Sequence, residues 1–421
     1  QLMFLAVSLM NETAKQSLIY FIVDGMGPNH IEYARWIEYG AAGDSYVKKM
    51  DEVRAVSSQS ANEELTDSAA AGTALATGVR SENSYLGVDK YGKALENLFE
   101  HINKEHKEYR TGVIAKVQAG HATPGAFLAH AISRKLDDQI YQTMLEHSNI
   151  SLAITPGHPS FEKLKTEFAK RYTIIEPEQI KQNLSILTDT PLPYIATTSK
   201  EIEFKRFIDY KNDDLTLEQI SFAAIEQLSK TPFALMIEAS QVDLGSHDNN
   251  ATYLVGEMIE ADRLIRKIMK YIDDHPEKNI NLIVCADHET GGVAITDDFA
   301  NLKSELPRSF DSMEVANAKR LQRIKETPGV VFRSDYHSNM FTIAAGYGNY
   351  FDGTKMSNVT RTTDIYELAR SIIDSKYIER KMTKSVEVQR SNDKNQKILI
   401  GLLTGGSVAI ISSIIGIMLV K

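Results

Sequence analysis

One cysteine, Cys285, stands in 421 residues. A disulfide within the chain is therefore excluded, and with it a scaffold stapled by bridges. Compartment stays open on this point, because disulfide-free secreted proteins exist. An excess of positive charge is also lacking. Lys and Arg number 47 against 56 Asp and Glu, for a net charge of −9. That argues against nucleic acid as a partner, since phosphate backbones call for Lys/Arg surfaces. An anionic small ligand would have to be drawn by local cations rather than by the overall field. No internal repeat or low-complexity block interrupts the main body. With 43% hydrophobic and 24% charged residues the composition is ordinary and globular, enough for a sizeable core.

Uncharged apolar runs longer than a single strand are missing from the main body as well, and appear only toward the ends. From Ile398 to Val420 runs "ILIGLLTGGSVAIISSIIGIMLV", long enough as a helix to span about 30 Å of hydrocarbon. It is expected to be a transmembrane helix, with 381–397 a polar linker, 17–380 the main domain and 1–16 an N-terminal arm or signal-peptide remnant. Arg390, Lys394 and Lys397 precede the span and only Lys421 follows it. By charge alone this places the large domain in the cytoplasm, but exported domains translocate largely regardless of such charges. The expectation is a membrane-anchored protein whose main domain is extracytoplasmic, at the cell surface or in the periplasm.

Within the main domain, apolar strand-like runs alternate with helical spacing. "SLIYFIV" at Ser17–Val23 suits a strand buried on both faces, and the following "NHIEYARWIEYG" has helical spacing stopped by Gly40. Arg110–Val117, Phe233–Ile237, Ile280–Cys285 and Met340–Ala345 read as further strands, Gly125–Ile132 and Thr252–Ile272 as helices. This order predicts an α/β fold, a three-layer sandwich with a central mixed, largely parallel β-sheet flanked by helices. In such sheets ligands collect beyond the carboxyl ends of the strands.

Chemically loaded residues follow the strands at once. Asp24 follows the first; "HATPGAFLAH", with His121 and Thr123, follows Val117 after a short loop. Glu238 closes "FALMI", with Asp243 and His247 soon after. Asp287, His288 and Glu289 follow "INLIVCA", and His337 precedes "MFTIA". Singly, a strand-end Asp caps a helix and a lone His is a surface or core residue. Four strand ends delivering His and carboxylate together point instead to metal, with His and carboxylate suiting zinc and oxygen-rich positions suiting magnesium. The Asp243-x-x-x-His247 spacing puts two ligands about one helical turn apart. "TDSAAAGTALATG" reads as a helix that starts at Ser68, where the positive dipole end favours phosphate and small residues let backbone approach it. Arg134 offers a planar fork for two phosphate oxygens.

Together "VDGMG", "TDSAAAGTA", "HATPGAF", "IEASQVDLGSH", "ADHETGG" and "YHSN" resemble, in order, the motifs of the alkaline phosphatase family, especially its compact bacterial members. The resemblance covers roughly Ser17 to Ile373. It implies two zinc ions and one magnesium. Ser68 would be the nucleophile that becomes phosphoserine, making the chain a phosphoprotein in turnover. Asp243, His247 and His337 would hold one zinc; Asp24, Asp287 and His288, completed by Ser68, the other. Asp24, His121, Thr123 and Glu238 match the surroundings of the magnesium, Arg134 the phosphate-binding arginine, and Asp67 the acidic neighbour that orients it. His121 stands where some relatives carry Asp, and Leu244 where relatives often carry a polar, basic or aromatic residue. The family also suggests a homodimer.

The resulting expectation is a metal-dependent phosphomonoesterase acting on a small-molecule phosphate monoester, attached to membrane through its C-terminal helix and not binding nucleic acid. A superfamily phosphodiesterase and a catalytically dead, membrane-anchored phosphate-binding protein are the alternatives. A sulfatase is disfavoured, because neither Cys285 nor Ser68 lies in a Cys/Ser-x-Pro-x-Arg context.

Overall fold

Every residue of Ser17–Val23 is buried, and alternate side chains leave the strand on opposite sides: Ile19, Phe21 and Val23 enter one apolar cluster, Leu18, Tyr20 and Ile22 another. A strand with two dry faces needs neighbours on both edges and a layer over each face. The computed structural model supplies both; it describes residues 15–40, 43–199, 205–296, 312–326 and 329–375.

The main sheet has nine strands: β1 (Ser17–Val23), β2 (Glu52–Val56), β3 (Arg110–Ala115), β4 (Leu152–Pro156), β5 (Thr173–Ile175), β6 (Tyr194–Thr198), β7 (Phe233–Ala239), β8 (Ile280–Cys285) and β9 (Thr342–Gly348). Their order across the sheet is β2-β9-β8-β1-β7-β3-β4-β6-β5. β9 runs antiparallel to β8 and β2 while the other pairings are parallel, so the sheet is mixed and largely parallel, as expected. Helices Pro28–Tyr39, Leu217–Leu228 and Ala251–Asp274 cover the Ile19 face; Ser68–Thr77, Leu98–Glu105, Asp137–His147 and Thr362–Asp374 cover the Leu18 face.

Register explains why chemistry gathers at one edge. Ile22 pairs with Glu238 of β7 on one side and Cys285 of β8 on the other, and Ala115 of β3 also pairs with Glu238. Asp24 and Asp287 each lie two residues beyond that row, on adjacent strands. Three acids therefore arrive within two residues of one another at the same end of the sheet.

Several expected bounds shift. The strand read at Arg110–Val117 ends at Ala115, and Phe233–Ile237 extends to Ala239, so Glu238 sits inside it. The helix expected at Gly125–Ile132 is instead the single turn Ala122–Ala126. Beyond it the backbone of Ala131 pairs with Leu86 in both directions, at 2.8 and 2.9 Å, so tertiary hydrogen bonds replace helical ones. The strand expected at Met340–Ala345 begins at Thr342 and runs to Gly348. The linker and the transmembrane helix expected over 381–397 and 398–420 lie outside the described residues, as does nearly all of the 1–16 arm. Among the described residues no helix is long and apolar enough to cross a membrane.

Directly after β3, Lys116 is buried between Glu257 Oε2 and Glu260 Oε2, with N–O distances of 2.5 and 2.7 Å. Burial opposes its charge, but the two carboxylates outweigh this and raise its pKa well above the usual lysine value. Glu257 and Glu260 also accept the backbone N–H groups of Phe207 and Leu217. The triad thus anchors the loop carrying His121 and Thr123 to the Ala251–Asp274 helix. Lys116→Met leaves two facing carboxylates buried without their cation, and urea unfolding at neutral pH is expected to show a loss of about 3–5 kcal/mol.

Candidate active site

Ser68 is the first residue of the Ser68–Thr77 helix, every residue of which is buried. Asp67 caps it, its Oδ1 accepting from Ala70 N at 2.9 Å. Its other oxygen faces Arg134 Nη1 at 3.3 Å. One carboxylate thus ends the helix and aims the arginine, a double role for which the sequence suggested only the second. Gly78 closes the helix in the left-handed region at φ 71°.

The helix's small residues serve packing more than ligand space. A Cβ on Gly72 would come 3.1 Å from the Cα of Thr123. Only at the first turn does the helix meet the reactive residues, where Ser68 Oγ lies 3.0 Å from His288 Nε2.

Two buried ligand groups flank Ser68. Asp24, Asp287 and His288 have donor atoms within 4.8 Å of one another. Asp243 forms a like group with His288 and His337, while His247 Nε2 lies 3.4 Å from Asp243 Oδ2 and 3.2 Å from His337 Nε2. His247, expected to share an ion with Asp243 and His337, thus lies beside both, while the compact group includes His288 in its place. Stacking of the His288 and His337 rings, centroids 3.5 Å apart, sets the two groups side by side.

Backbone carbonyls orient the imidazoles. Nδ1 of His337 donates to Thr66 O at 2.6 Å and Nδ1 of His247 to Asp335 O at 2.7 Å, so that in the neutral imidazoles each Nε2 lone pair is aimed inward. Thr290 Oγ1 donates to Asp243 Oδ1 and lies 3.2 Å from His288 Nδ1, which assigns the proton to that nitrogen and again frees Nε2. Glu289 accepts from Gly292 N, Val293 N and Ser338 Oγ, tying the loop after β8 to the residue beside His337. Thr290 and the two carbonyls were not legible beforehand, since a backbone oxygen carries no residue identity and a lone Thr no signal.

The third set is looser. Thr123 and Ser240 place hydroxyls beside Glu238 that favour its ionised form, yet neither Glu238 oxygen has a well-formed hydrogen bond. His121, however, turns its Nε2 to Arg134 Nη2 at 3.5 Å and does not join Glu238 and Asp24 in a compact ligand group among the described residues.

Electrostatics show what the residues fit. Asp24 Oδ1, Asp287 Oδ2, both Glu238 oxygens, Thr123 Oγ1 and His121 Nδ1 are buried without hydrogen-bond partners. Burial, then the neighbouring acids Asp287, Asp243 and Glu238, raises Asp24 well above the usual carboxylate range. Burial, with Asp243 nearby, pushes Asp287 up to about 7. Burial likewise pushes Glu238 up to about 8 against the pull of its hydroxyl neighbours. Asp243 goes the other way: burial opposes its charge, but His247, His288 and His337 hold it below the ordinary range. The hydrogen bond to Asp243 raises His247 to about 9, whereas burial and Arg134 lower His121 to about 3. Orphaned oxygens and inward nitrogens in this density fit divalent cations and little else.

The arrangement has counterparts. The alkaline phosphatase family profile matches residues 15–154 and 198–360. Alkaline phosphatase 4 of Bacillus subtilis strain 168 is 31% identical over 55% of this chain and 50% of its own length. Alkaline phosphatase 3 of the same strain is 27% identical over 68% and 64%. The chain thus spans between half and two thirds of these relatives. The alkaline phosphatase from the Antarctic bacterium TAB5 superimposes with a TM-score of 0.68 at 23% identity, covering 86% of this chain and 98% of that one, and so shares the fold.

The shifts carry a signed consequence. Glu238 and Asp287 keep protons in the folded state that the unfolded chain has already lost, so metal-free stability falls as pH rises through 7 and 8. The raised His247 contributes in the same direction, its stabilising proton leaving near 9. Chelator-treated protein is expected to melt at a lower temperature at pH 9 than at pH 7, by calorimetry. Added zinc and magnesium should raise the melting temperature more at pH 9.

Proposed function

The chain belongs to the alkaline phosphatase family, and from that premise we propose that it hydrolyses phosphate monoesters through a phosphoserine on Ser68. The observation that carries this reading is the position of Ser68 Oγ: at a helix N-terminus, 3.0 Å from His288 Nε2, between two groups of inward-facing ligands.

Asp243, His247 and His337 would hold one zinc, Asp24, Asp287 and His288 a second, and Glu238, Thr123 and Asp24 a magnesium. His121 would contribute to that third site through its unpartnered Nδ1. When bound, such ions lower the pKa of the serine hydroxyl and of water and offset charge on the leaving alkoxide.

The chain's own residues do the rest. Ser68 Oγ bonds to phosphorus as the alcohol leaves opposite, carrying the proton that the hydroxyl gives up. Water then cleaves the Ser–O–P linkage, releasing inorganic phosphate and restoring the hydroxyl. Throughout, the helix N-terminus and the Arg134 fork hold the non-bridging oxygens, where charge shifts in the transition state. Asp67 keeps the guanidinium in place from the same cap that ends the helix. Arg134 and His247 remain 24% and 30% exposed, so a monoester can enter from solvent. Attachment to a membrane through 398–420 and an extracytoplasmic catalytic domain belong to the same proposal and rest on sequence, and a homodimer rests on the family resemblance.

Hydrolysis of p-nitrophenyl phosphate at alkaline pH tests it. Ser68→Ala is expected to lower kcat by at least ~10³-fold, and chelation to abolish turnover until zinc and magnesium return. Undiminished activity in Ser68→Ala would sink the covalent route. Faster turnover of bis(p-nitrophenyl) phosphate than of the monoester would make the chain a phosphodiesterase instead. Arg134→Ala should lower kcat/KM roughly 10²–10³-fold.

A further inference from the structure

At the opposite edge of the sheet, a second set of ligand side chains has no part in this chemistry. His101 lies in the Leu98–Glu105 helix, His106 ends that helix, and Asp374 ends the helix Thr362–Asp374. Both imidazoles reach one carboxylate oxygen: His106 Nε2 is 2.7 Å and His101 Nε2 3.3 Å from Asp374 Oδ1. The three donor atoms lie within 4.8 Å of one another. Tyr109, next to β3, closes the cluster, its ring edge-on to His106 and its hydroxyl donating to Gln16 O and Ile373 O. The cluster therefore sits where β1 and β3 begin. A seven-residue strand separates it from the catalytic edge by roughly 20 Å.

With a neutral His101 the hydrogen-bonding positions do not balance unless a metal ion takes one of them. Glu96 Oε1 faces His101 Nδ1 at 3.6 Å. If neutral His101 keeps its proton on Nε2 for Asp374, its Nδ1 lone pair confronts the Glu96 carboxylate. If the proton is on Nδ1, the Nε2 lone pair confronts Asp374 Oδ1. The remaining oxygen of Asp374 is taken by Arg370 Nε at 3.4 Å, so Oδ1 alone serves the imidazoles. Lys104 engages Glu96 from outside at 3.1 Å. Tetrahedral zinc with ligands near 2.0–2.1 Å sets its donor atoms about 3.3 Å apart, the His101–Asp374 spacing. A carboxylate behind a ligating imidazole is the usual partner that fixes its tautomer.

We propose that His101, His106 and Asp374 form a zinc site, its fourth position open to water, that fastens the Thr362–Asp374 helix to the segment leading into β3. The helix it holds packs on the nucleophile helix: a Cβ on Gly78 would come 2.6 Å from the Tyr366 ring. The site is independent of hydrolysis, and its loss acts on stability first.

The test uses the full chain, stripped by chelator and reloaded with Zn²⁺ or Co²⁺, with bound metal counted by elemental analysis and melting followed by calorimetry. His106→Ala and Asp374→Asn are expected to bind one equivalent less than wild type and to melt several degrees lower in zinc, with unchanged p-nitrophenyl phosphate turnover at saturating substrate. Asp374→Asn keeps an acceptor oxygen of the same shape, so a purely hydrogen-bonded cluster would survive it. Equal metal content in wild type and Asp374→Asn overturns the site and leaves a protonated His101 bridging two carboxylates. If the catalytic reading failed, monoester turnover would be absent in wild type and variants alike, yet the difference in bound metal and melting between them would persist.

Discussion

Four carboxylates crowded at one edge of the sheet set the terms for everything around them. Asp24, Glu238, Asp243 and Asp287 are buried within reach of one another's charge. Like charges in a dry site cannot all ionise without compensation. The protein's own cations offset only part of it: three imidazoles gather around Asp243, while Asp24, Glu238 and Asp287 keep oxygens with no partner. A scaffold tolerates such strain when its residues are arranged to be completed by something of opposite charge. Ser68 is placed where that completion would activate it.

Around this electrostatic centre, rigidity comes from main chain. The carbonyls of Thr66 and Asp335 fix the tautomers of His337 and His247, and Thr290 fixes His288. Thr66 also lies two residues before the nucleophile, so the segment that orients a ligand of one group also leads into the helix bearing Ser68. Asp67 repeats the economy, capping that helix while aiming Arg134. Coupling of this sort makes ligand geometry and nucleophile position hard to change separately.

Much of this could be read in advance because parallel strands write their ends into the sequence. "SLIYFIV" before Asp24 and "INLIVC" before Asp287 are continuous apolar runs that must stop at the sheet edge. A motif beginning at such a stop is aimed at the ligand side. Asp243 and His247 needed only the helical repeat. The reading of Gly125–Ile132 as a helix failed because Ala131 finds its hydrogen bonds on Leu86, 45 residues away in the chain. Local pattern has no access to such a partner. The small residues of "TDSAAAGTALATG" serve two ends: the first turn meets the reactive groups, while the space at Gly72 belongs to the backbone at Thr123.

What the sequence determined alone is the inventory and its order: apolar runs that end in His or carboxylate, a serine at a helix start, and motifs sufficient to identify the family. Periodicity and residue chemistry are local properties, and they survive without coordinates. What only the tertiary structure decided is proximity and direction. Register put Glu238 level with the last residues of β1 and β8, and loop packing turned His121 toward Arg134. Folding also brought His101 and His106 to an aspartate more than 260 residues away. Those outcomes depend on how strands pair and helices stack across long separations, where each contact is set by the whole core rather than by its neighbours in the chain.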